Sequence, residues 1–63
     1  MIIRIIASFG TITGIFYLVQ YRNKNEIKYE IRNTNNDMMY SGTSLQIAWE
    51  YFSDLFKIKM NVV

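Results

Sequence analysis

Polar and apolar residues alternate strictly over Glu26–Arg32, EIKYEIR. Ile27, Tyr29 and Ile31 face one way, and Glu26, Lys28, Glu30 and Arg32 the other. This period of two predicts a half-buried strand over 26–32. Phe56–Val63, FKIKMNVV, alternates the same way through Phe56, Ile58, Met60 and Val62, and predicts a second strand over 56–62. Between them the period changes. Leu45, Ala48, Trp49, Phe52, Leu55 and Phe56 share one side of a helical wheel, with Gln46, Glu50, Ser53 and Asp54 opposite. Thr43 followed by Gln46 matches a capping box. An amphipathic helix over 44–55 is expected.

The first twenty residues admit two readings. Met1–Gln20 is apolar apart from Arg4 and small polar residues. Its 19-residue mean hydropathy of roughly 1.9 exceeds the usual transmembrane threshold. Gly10 and Gly14 form GxxxG, a packing motif of membrane helices, and Arg22, Lys24 and Lys28 follow as a basic flank. On this reading residues 2–20 span a membrane. Against it, nine of the twenty are β-branched and only one is leucine, which favours strands. Strands over 2–7 and 12–21 with a turn at Gly10 are the rival. Asn23-Lys24-Asn25 suits a tight loop leading into the strand at 26.

Balance between the halves favours strands. A membrane span would leave about forty residues to fold on two strands and a helix, and a two-stranded sheet is marginal in water. The expected fold is therefore α+β in one domain spanning 1–63. Four antiparallel strands carry one helix on one face.

Composition adds exclusions. Cysteine and histidine are both absent, so disulfides are impossible and the usual ligands for zinc, copper, haem and iron–sulfur clusters are missing. No metal or cofactor is expected. The commonest general base and the best nucleophile are also missing. Glu26 and Glu30, about 13 Å apart on a strand at 3.3 Å per residue, alternate with Lys28 and Arg32 as a solvated face. Glu50 and Asp54 read as an exposed helix face. No phosphate loop, nucleophile elbow or calcium loop occurs. The chain is not expected to be an enzyme. Net charge is +2 with dispersed basic residues. A nucleic-acid surface built on Tyr21, Arg22, Lys28 and Tyr29 is accordingly the weakest alternative.

What remains is contact. Ile2, Ile3, Ile5 and Ile6 make the first strand apolar on both faces, as in a subunit interface, and predict a homodimer or larger oligomer. Asn33–Gly42, NTNNDMMYSG, reads as a long loop. It carries Met38, Met39 and Tyr40, residue types suited to partner binding or to a lid on the core. Ile, Asn, Lys and Tyr make up 25 of 63 residues. Their A/T-rich codons point to an A/T-rich genome such as a bacteriophage or plasmid. The functional expectation is a cytoplasmic protein-binding module that inhibits a larger host or defence protein by stoichiometric contact. The alternative is a single-pass subunit or accessory of a membrane complex.

Overall fold

The computed structural model describes residues 1–60. Four strands, β1 (Ile2–Thr11), β2 (Gly14–Asn23), β3 (Glu26–Asn33) and β4 (Met38–Gly42), form an antiparallel sheet in the order β1-β2-β3-β4. One helix, α1 (Leu45–Met60), lies across one face. The expected α+β class, with four strands and one helix, is what the chain adopts.

Residues 2–20 are strand, not helix, as their β-branched side chains favour. No helix among the described residues is long and apolar enough to cross a membrane. The turn between the first two strands falls at Ile12–Thr13, not at Gly10, so β1 runs four residues further than expected. Gly10 lies within the strand opposite Ile15. Gly14, at φ 146°, is the glycine the geometry requires. A Cβ there would come within 2.5 Å of Thr34 Oγ1, which accepts a hydrogen bond from the Ile15 N–H at 3.2 Å. The second turn lies at Lys24–Asn25, as the Asn-rich run implies, with Lys24 at φ 57°.

The fourth strand is not 56–62. Residues 56–60 continue the helix, and 61–62 lie outside the described residues. FKIKM alternates, but five residues are too few to separate a strand from the last turns of a helix. Tertiary packing decides. Phe56, one turn beyond Phe52, meets Phe9 edge-on at 5.2 Å. Lys57 and Lys59 suit the negative end of the helix dipole, and no glycine or proline stops the chain. Ser44 rather than Thr43 is the cap: its Oγ accepts from the Ile47 N–H at 3.3 Å.

The missing strand comes from the expected loop, because Asn33 converts part of it into a hairpin turn. The buried Asn33 Oδ1 accepts from the backbone N–H groups of Asn35 at 3.0 Å and Asp37 at 2.9 Å. Asn36 supplies a positive φ of 68°. The chain reverses within five residues, and Met38–Gly42 pairs with β3.

Alternation assigns the faces. Phe16 and Leu18 on β2, Ile31 on β3 and Phe9 on β1 point at α1 and bury with Ala48 and Phe52. Phe9 is the centre. Its ring stacks on Phe16 at 5.2 Å and meets Phe52 and Phe56, each also at 5.2 Å. A register shift between Ile5 and Ala7 lets Ile6 and Ala7 both pack on this core.

Two substitutions test this construction by chemical denaturation. Phe9→Ala should cost about 3–5 kcal/mol, against a stability of only about 3–9 kcal/mol for a chain of this size. The variant should be largely unfolded, whereas Phe9→Leu should fold. Asn33→Ala leaves two turn N–H groups without their acceptor and should cost about 1–3 kcal/mol, with Asn33→Asp recovering most of it.

Candidate functional site

The residues expected to bind a partner or a second copy fall into two places. Met38, Met39 and Tyr40 lie on β4, an edge strand, rather than in a loop. Met38 is 52% exposed. A register shift between Ile31 and Arg32 turns Met39 inward, so Met39 and Tyr40 both pack against the core. Tyr40 is half-buried. Its ring covers Gly42, where a Cβ would collide with it, and lies 5.4 Å from the Tyr51 ring of α1. Ile2, Ile3 and Ile5 on β1 are exposed, Ile5 at 60%, whereas Ile6 packs against the core.

Helix α1 adds a surface that a single amphipathic face does not suggest. At about 100° per residue, its apolar positions cover an arc of about 220°. The sheet takes the middle, through Ala48 and Phe52. Both flanks are left out. Ile47, Tyr51 and Ile58 stand exposed on the β4 side. Trp49, Phe56 and Met60 stand exposed on the β1 side, where Phe56 meets Phe9. Trp49, read in sequence as a core residue, is thus a flank residue whose indole packs edge-on against Phe52 at 6.1 Å. A shallow hollow lined by Tyr51, Asp54, Leu55 and Ile58 marks the β4-side flank. The continuous spread of Ile47, Tyr51 and Ile58 around the wheel was the available signal for this surface.

The face of the sheet opposite α1 is mixed. Ile5 pairs with Val19, which is fully buried although no helix covers it, and Val19 pairs with Glu30. Glu30 is not the solvated carboxylate that its alternation with Lys28 and Arg32 implies. It is only 5% exposed, and both Nε (2.9 Å) and a terminal nitrogen (2.6 Å) of Arg32 reach its Oε1. Arg32 also lies over the Tyr21 ring, 5.8 Å from its centre. The guanidinium therefore roofs this face as well as neutralising it. Glu26, Glu50 and Asp54 are exposed as expected.

The nucleic-acid set is divided by the fold. Tyr21 and Lys28 pair on the open face, whereas Tyr29 packs against the helix-side core and Arg22 alternates to that same side. Those four side chains do not form one stacking platform. Among the described residues, no group of three or more carboxylates gathers to hold a metal ion. Compared with known proteins, the chain matches no family model, no curated protein and no solved structure.

Removing Arg32 would leave Glu30 buried without its partner. Arg32→Ala should lower stability by about 1–3 kcal/mol. Adding Glu30→Gln to that variant should restore part of the loss, as read by urea midpoints.

Proposed function

We propose that this chain is a small non-enzymatic binding module that inhibits a larger host or defence protein by stoichiometric contact. The observation that carries the reading is the β4-side flank of α1. Ile47, Tyr51 and Ile58 recur at helical spacing and stay exposed, and the Tyr40–Tyr51 pair ties them to β4, whose exposed Met38 lies on the opposite face of the sheet beside Arg32. An amphipathic helix presenting such anchors is a common way to enter a hydrophobic groove. Asp54, on the rim of the same hollow, suits a partner with a basic group beside that groove. Exposure this extensive in so small a chain supports contact as the activity. Among the described residues thirteen large apolar side chains are exposed, against seven buried hydrophobic ones. The module acts in the cytoplasm of the host cell, where such a target is within reach.

Immobilised protein exposed to extract of the native host should retain one protein at equimolar ratio. Tyr51→Ala and Ile47→Glu should each weaken that binding at least about tenfold, with far-UV circular dichroism unchanged. Equal retention by the native chain and both variants would sink the proposal.

A further inference from the structure

The open face of the sheet has a pattern along β1 that is complementary to its own reverse. On this face Ile2 stands beside Tyr21, Ile5 beside Val19, Ser8 beside Tyr17 and Gly10 beside Ile15. Along β1 the column therefore runs large, large, small, small. Ile2 and Ile5 are exposed, and a Cβ added at Gly10 would meet no atom within 4 Å. We propose that two copies of this chain pack these faces together about a two-fold axis lying across the strands, level with the gap between Tyr17 and Val19. That axis reverses the column. Ile2 of one copy then comes over Gly10 of the other, and Ile5 over Ser8, twice over by symmetry. A surface that fits its own reverse is what an isologous interface needs, and inner faces of stacked sheets interdigitate in this way.

Charge follows the same axis. On β3, Glu30 is level with Val19 and Arg32 with Tyr17. The rotation brings the Glu30–Arg32 pair of one copy over that of the other, and because each pair is neutralised within its own chain no unpaired charge is set beside the apolar columns. Edge-to-edge pairing, the other route to a dimer, is obstructed. The β1–β2 register shifts twice, between Ile2 and Arg4 and between Ile5 and Ala7, and the β3–β4 register shifts once, while β2–β3 runs unbroken. Irregular edges of this kind discourage strand addition. The area required is within reach of a chain this size. A stable interface takes about 800 Å² from each partner, under a fifth of the 4530 Å² surface of this chain.

Sedimentation equilibrium from about 1 to about 100 μM tests the proposal directly. The native chain should approach about 15 kDa, twice its 7.5 kDa mass. Ile5→Lys removes a knob, and Gly10→Ile fills the recess that receives one. Each should raise the dimer dissociation constant at least about 100-fold with the far-UV spectrum kept. Gly10→Ile adds a β-branched residue to a strand in open space, so it carries the test if Ile5→Lys fails to fold. Ile58→Glu, on the helix flank, should leave the dimer intact. A native mass of 7.5 kDa throughout, or a dimer that survives Gly10→Ile, would overturn the proposal. So would a dimer lost only in Ile58→Glu, or a monomer whose Tyr17 and Tyr21 signals shift on adding an oligonucleotide. None of these readouts involves the helix-flank target, so the test is independent of whether that target is found.

Discussion

The packing of three rings around Phe9 is the interaction on which the rest of the fold depends. Phe9 lies on an edge strand, Phe16 on its neighbour, and Phe52 and Phe56 near the far end of the sequence. One side chain thus closes the loop between the opening hairpin and the last helix. Closing a loop of some forty residues costs chain entropy that local hydrogen bonds do not return. Here it is offset by aromatic burial, which supplies the most area per residue ordered. The same cluster also explains why the helix continues to Met60. Phe56 is useful to the core only as a helical residue one turn beyond Phe52. As a strand residue it would abandon Phe9.

A helix held this way cannot hide its own composition. Its apolar arc is roughly twice the width a single sheet face covers, so seating Ala48 and Phe52 necessarily lifts Ile47, Tyr51 and Ile58 out on one side and Trp49 and Met60 on the other. Rotating α1 to bury either flank would withdraw Phe52 from Phe9. The exposed flanks are therefore a consequence of the core, and they persist for as long as the core does. Tyr40 eases the conflict on one side by leaning over Gly42 to reach Tyr51. That arrangement works because Gly42 carries no side chain to occupy the space.

Much of this is legible in the residues, and the failures have identifiable causes. EIKYEIR and the Asn-rich turn before it announce β3 and its hairpin, because period-two alternation and turn chemistry are local properties. The class follows from the need of Ile2–Ile6 for a sheet. The fourth strand is hidden. MMYSG has no alternation of its own and becomes a strand only because Asn33 reverses the chain and leaves it beside the free edge of β3. FKIKM misleads for the converse reason, since a short alternating run satisfies both periods and a distant ring chooses between them. Glu30 is the instructive case at the candidate site. Its sequence neighbours make it look solvated, yet Arg32 two residues on folds back over it and carries it into the interior.

The placement of polar groups on the open face then bears on what the sheet is for. A solvated sheet face rarely buries a valine completely, and a covered one holds a guanidinium only where a carboxylate neutralises it. This face has both, at neighbouring positions. Val19 is fully buried with no element of structure over it, on a face whose long side chains are Tyr17, Tyr21 and Arg32. Tyr17 and Tyr21 flank it along β2, and Arg32 is anchored at one end by Glu30 and at the other by the Tyr21 ring. Such a roof is thin toward β1, where Ser8 and Gly10 contribute almost nothing and Ile2 and Ile5 project past it. The sheet is thus finished toward β3 and unfinished toward β1. The chain has no disulfide and can call on no histidine or cysteine to hold a metal. The packing proposed for two copies would complete such a face, because it sets Ile2 and Ile5 of each chain over Gly10 and Ser8 of the other.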